Sequence, residues 1–143
     1  LVQNTPDGVN REQGIWYQHE VTDMMLIAGL TGRANSVEFG TAFWYRLEAM
    51  LEFVASIMDA GGHVPAWGDS DDAVMVRFCP VPGHEVFRSQ LATGAVLFGR
   101  SDFKTKAQRF DDKSRWLLGD ASSATFCSAG ATLKACSTSI WKP

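Results

Sequence analysis

The chain has 143 residues, 45% of them hydrophobic and 20% charged, which suits one globular domain with a modest core. Its 16 acidic and 13 basic side chains leave a formal charge of −3, so charge gives no case for a nucleic acid or an anionic membrane as partner. No apolar run approaches the roughly 18 residues that span a bilayer, so membrane insertion is not expected.

Pro6-Asp7-Gly8 signals a turn. Asn10 and Gln13 then form a capping-box pattern at the start of a first helix, about residues 11–30. Ile15, Trp16, Met24, Ile27, Ala28 and Leu30 supply its apolar face, and Gly32 suits the left-handed position that ends it. Asn35 and Glu38 repeat the capping pattern before a second helix, about 36–59. There Phe43, Leu47, Met50, Leu51, Val54, Ile57 and Met58 recur every three or four residues until Gly61-Gly62 stops them. The short connection predicts an antiparallel helical hairpin.

Residues 61–84 read as a long irregular loop, with room for a short helix over Ala73–Phe78. Its Trp67 and Phe78 argue against disorder. Val86, Phe87, Leu91, Ala95 and Phe98 mark a third helix, about 84–99, and a weaker fourth runs about 103–118. No alternating strand pattern precedes residue 120, and residues 121–143 form an irregular tail. The predicted class is all-α. The natural N-terminus is expected upstream of Leu1.

Most polar constellations have an ordinary explanation. Gln13 and Tyr17 are four apart on the first predicted helix, close to Arg11, where a phenol can be tuned for proton transfer. On chemistry alone, capping and an amphipathic aromatic at the core edge are the favoured roles. Asp69, Asp71 and Asp72 lack the glycine and glutamate of a calcium-binding EF-hand, and pairing with Arg77 or capping is favoured over sugar binding. His19, His63 and His84 have no metal-ligand spacing. Cys79, Cys127 and Cys136 contain no CxxC pair, and buried or incidental thiols are expected.

Three segments together resemble the heparinase II/III family of polysaccharide lyases. "PDGVNREQGIWYQHEV" is similar to its Asp-Gly, Glu-Gln and following Tyr. "DAGGHVPAWGDSDD" is similar to its Asp-Gly-x-x-Pro-x-x-Gly-Asp-x-Asp loop, and "LATGAVLFGRSDFK" to the next helix. They occur in the family's order and span about residues 5–120. The resemblance implies antiparallel helical hairpins forming part of an incomplete (α/α) toroid, with residues 1–120 as the partial toroid. It also implies β-elimination of uronate-containing glycans, an acidic polysaccharide as partner, no cofactor, and a periplasmic or cell-envelope setting.

Carried over by motif, Tyr17 is the catalytic acid and also a candidate base. Glu12 and Gln13 match the Glu-Gln pair. With His19, Trp67, Asp69 and Asp71 they make up the expected substrate-binding set, the two aspartates chiefly as architecture. The chain departs from the pattern where Gln18 follows Tyr17 in place of histidine. The family's carboxylate-neutralising Asn-His pair belongs upstream and its β-sandwich histidine downstream, so the chain is expected to be a middle slice of a lyase. Two rivals are a noncatalytic module binding glycan or protein through Trp16, Trp44 and Trp67, and a toroid hydrolase acting on unsaturated sugars through an aspartate.

Overall fold

The computed structural model describes residues 2–69, 73–78 and 85–129. Among them are six helices: α1 (Ile15–Ala34), α2 (Thr41–Ile57), α3 (Val86–Phe98), α4 (Ser101–Ala107), α5 (Asp112–Leu118) and α6 (Ser122–Ser128). No strand occurs among the described residues, and the one β-type pairing is an isolated antiparallel bridge between Asn4 and Asn10. The protein is all-α. No helix among these residues is long and apolar enough to cross a membrane.

α1 starts later than its sequence pattern predicts. Asn10 closes a turn of its own, its Oδ1 accepting from the Glu12 N–H at 2.9 Å. Gln13 takes a positive φ of 57°, and Gly14 is the N-cap. Gln13 therefore precedes the helix and does not share a helical face with Tyr17. The far end also shifts. Ser36 adopts the left-handed conformation, Val37 N–H donates to Gly32 O at 2.8 Å, and Ser36 N–H donates to Arg33 O at 3.1 Å. This is a Schellman closure, with Gly32 supplying a carbonyl from inside the helix.

The second capping box is likewise replaced. Asn35 caps the C-terminus of α1, and Gly40 precedes α2. Glu38 accepts from Arg33 Nε at 3.0 Å and from the Trp44 indole, so its pairing is with side chains. α1 and α2 run antiparallel. Gly29 of α1 lies against the Trp44 ring near the start of α2, and Gly8, before α1, lies against Ala49 further along α2.

Beyond Ile15, the buried side of α1 lies away from the predicted apolar residues Met24, Ile27, Ala28 and Leu30. Ile15, Gln18, His19, Thr22, Asp23, Leu26 and Gly29 face inward at helical spacing, most of them polar. Met24 is 45% exposed, Ala28 is exposed, and Ile27 and Leu30 are half-buried. The polar stripe is tolerated because its partners come from α3, α5 and the N-terminal turn.

The main apolar core is built by Leu51, Val54, Ala55 and Met58 of the α2 region with Leu91, Ala92 and Ala95 of α3, Phe103 and Ala107 of α4, and Phe126 of α6. α3 is central and touches every other helix. Every residue from Ser89 to Ala95 is buried: Leu91, Ala92 and Ala95 enter the core, and Gln90 and Thr93 are hydrogen-bonded.

Three further expectations change. Residues 73–78 contain no helix. The single helix over 103–118 is two, because Gln108 adopts φ 67° and Asp111 restarts the chain as the N-cap of α5, accepting from Ser114 N–H at 2.9 Å. The region after Asp120 begins with α6, fastened by Phe126 against Phe110. Cys127 is an exposed free thiol, whereas Cys79 and Cys136 lie outside the described residues.

Candidate functional site

The first two motif segments meet at the start of α1. The Ile15 N–H, one of the donors an N-terminal helical turn leaves unpaired, donates to Trp67 O at 3.3 Å. The next residue, Gly68, has φ +73°, and a Cβ built on it would stand 2.5 Å from Gln13 O and 2.7 Å from Gly14 Cα. The two stretches of backbone are therefore in direct contact. On Gly14 itself a Cβ would stand 2.8 Å from Tyr17 Cδ2 and 3.3 Å from Asp69 O. Two glycines thus let the loop, the Tyr17 ring and the helix start occupy one place.

Around this junction the polar side chains are open to solvent. Glu12, Gln13 and Asp69 are exposed, and Tyr17 and Trp67 are half-buried. Glu12 accepts from Gln3 Nε2 at 3.4 Å, a weak contact a ligand can displace. Among the described residues Asp69 makes no ion pair with Arg77, and both side chains are exposed; the other aspartates of the expected pairing, Asp71 and Asp72, lie outside the described residues. Trp67 rests edge-on against Phe53, with ring centroids 6.1 Å apart. Asp71 lies outside the described residues.

His19 does not join this surface. It is two residues from Tyr17, about 200° around the helix, and its exposure is 0%. Its ring lies edge-on to Trp16 and Phe87, with centroids at 5.9 and 5.4 Å, and its Nε2 is 3.7 Å from Asp23 Oδ2. Direct substrate contact by His19 is thus corrected to an interior role. The surface expected of Trp16, Trp44 and Trp67 is also not presented as free rings. Trp16 packs on Phe87, Trp44 lies under the Arg33 guanidinium at 3.7 Å, and Trp67 packs on Phe53.

Two polar arrangements behind the surface were not singled out in the sequence. Gln18, buried, accepts from Asn10 N–H at 2.7 Å and donates to Gly8 O at 2.9 Å, clamping the Pro6-Asp7-Gly8 turn onto α1. Deeper, Lys113 Nζ donates to both Asp23 carboxylate oxygens, at 2.6 and 2.7 Å. Gln90 Nε2 adds bonds to Asp23 Oδ1 at 2.8 Å and to His19 O at 2.7 Å. The spacing of Gln18, Thr22 and Asp23 on one side of α1 was the available signal.

At the corner after α2, Asp59 accepts from His63 N–H at 2.8 Å and lies 3.2 Å from His63 Nδ1. The His63 backbone N–H is the main cause holding the Asp59 carboxyl below its ordinary value. Among the described residues no group of three or more His, Cys, Asp or Glu is placed to hold a metal ion. Comparison of the chain with protein-family models, curated proteins and solved structures gives no match.

Proposed function

We propose that the chain forms the tyrosine-bearing part of the cleft of a polysaccharide lyase that cleaves uronate-containing glycans by β-elimination. The observation that carries this reading is the seating of Trp67–Asp69 on the start of α1, beside Tyr17. Two segments with independent likeness to one enzyme family, far apart in sequence, share one solvent-facing junction. On this reading the helical hairpin is a portion of an (α/α) toroid.

The chemistry follows from the charges. Removing the proton α to a carboxylate builds negative charge on that group, so a complete site must neutralise the uronate. The Tyr17 hydroxyl, or its phenolate, transfers the proton between the carbon acid and the C4 oxygen that leaves. Glu12, Gln13 and Asp69 offer acceptors and an amide to hydroxyls of the bound sugar.

In the full-length protein, Tyr17→Phe is expected to lower formation of the unsaturated uronate product by about 10²–10⁴-fold, the usual worth of a positioned acid or base. The thermal midpoint should be nearly unchanged. Product formation at the parental rate would falsify the assignment of Tyr17, and hydrolysis without an unsaturated product would remove β-elimination altogether.

A further inference from the structure

α5 and the two residues after it carry one outward face. Asp112, Arg115, Trp116, Gly119 and Asp120 follow one another at steps of three and four, and all of them are exposed. Trp116 is 75% exposed, and its ring is tilted against that of Phe78 with centroids 6.1 Å apart. The same two rings line two hollows. One is an apolar groove of about 330 Å³ shared with α1, and the other a cleft of about 540 Å³ that reaches Gly119 and Asp120. A Cβ built on Gly119 would meet nothing within 4 Å, so the ground beside the tryptophan is open.

The charges of this face are unspent. Among the described residues Arg115 and Asp120 form no ion pair and no side-chain hydrogen bond. A large ring left in water beside an open hollow marks a contact surface, and tryptophan and arginine are the residues that most often dominate contact energy.

The chemistry of the face selects a second copy of this chain. An acidic partner would be opposed by Asp112 and Asp120, a basic one by Arg115, and an apolar one would strand both signs. A second copy brings the same ridge, the same hollow and both charges. The positions also fit a two-fold axis. Trp116 and Gly119, and likewise Arg115 and Asp120, are pairs centred on one point of the chain, between Leu117 and Leu118. When two copies of this segment approach antiparallel about that point, each Trp116 comes to lie over the other copy's Gly119 and each Arg115 beside its Asp120. Every contact is then made twice, as an isologous interface requires.

We infer that this face is a symmetric homodimer interface, in which each Trp116 fills the other copy's cleft and Arg115 pairs with Asp120 across the axis. The surface is small, one short helix and the edge of α1, so the dimer belongs with weak, transient contacts. The inference is independent of the lyase reading.

The test is sedimentation velocity of this chain over a wide range of concentration, with charge reversals. The parental chain should pass from monomer to dimer and stop there, and added salt should weaken the step. Arg115→Asp and Asp120→Arg each set like charges together twice, and each should raise the dimer dissociation constant at least about tenfold. The double variant restores opposite signs and should return close to the parental value. A mixture of the two single variants should form a heterodimer, because one carries only acids and the other only bases at these two positions. Both side chains are exposed, so the variants should fold, and an unchanged thermal midpoint would verify it. A monomer at every concentration would leave the face to a different partner and overturn the second copy as its occupant. Growth beyond a dimer, association untouched by either reversal, or failure of both the double variant and the mixture to recover it would overturn the two-fold contact.

Discussion

Gly68 carries the contact on which the candidate site depends. Its φ of +73° and the 2.5 Å approach to Gln13 O leave no room for a side chain. Gly68→Ala therefore meets both the left-handed penalty, roughly 1–2 kcal/mol, and a backbone clash. On the proposed lyase reading, the expected result is a loss of unsaturated product that exceeds the fall in folded fraction, because the loop is pushed off α1 and away from Tyr17. A variant that loses stability but keeps full turnover per folded molecule would show that the loop plays no part in the site. At this scale the sequence was informative about which residues matter and less so about where they point. The Gln13–Gly14 backbone, the Tyr17 ring and the backbone of Trp67–Asp69 do meet. His19 does not join them, because a step of two along a helix carries it to the far side. Gln18, which stands where the resembling family has histidine, is a buried clamp with one donor and one acceptor in use.

Among the elements, α1 shows most clearly why periodicity alone misleads. Its apolar residues at 24, 27, 28 and 30 suggested an inward face, but the inward face holds Gln18, His19, Thr22 and Asp23. Periodicity reports that a helix has two unlike sides. It does not say which side is buried when the polar one finds partners from distant elements. Asp23 finds Lys113, from a segment whose own helical pattern was weak and which the turn at Gln108 divides. Removing one member of this pair strands a buried charge. Asp23→Ala should cost about 3–5 kcal/mol in urea denaturation, whereas the double change Asp23→Leu with Lys113→Met should recover most of it. If Asp23→Ala costs less than about 1 kcal/mol, water reaches the pair and its burial is not maintained in solution. By contrast, the strong spacing of α2 and α3 was legible, because both bury apolar residues in the shared core.

For the whole molecule, the displaced apolar side of α1 has a visible outcome. Ile27, Leu30 and Ala34 line a groove together with Phe78, Trp116 and Leu117, and Trp116 is 75% exposed. Exposed aromatic surface of this kind favours association. Sedimentation velocity should show concentration-dependent self-association of this chain, reduced several-fold by Trp116→Glu. A monomer at all concentrations, with and without the substitution, would show that the groove is inert in isolation. The all-helical class was legible throughout, whereas the break at Gln108 and the helix α6 were not, since neither a positive φ at a glutamine nor the anchoring of Phe126 leaves a periodic mark.

The ion pair between Asp23 and Lys113 joins positions 90 residues apart, and its consequence is one of timing. During synthesis the first hairpin emerges long before Lys113 and Gln90, with its inner side still needing water. That side cannot be dehydrated until α3 and α5 have left the ribosome. The nascent hairpin should therefore stay loosely assembled and become protected from hydrogen exchange late, in the same step as the closing of the C-terminal helices over it.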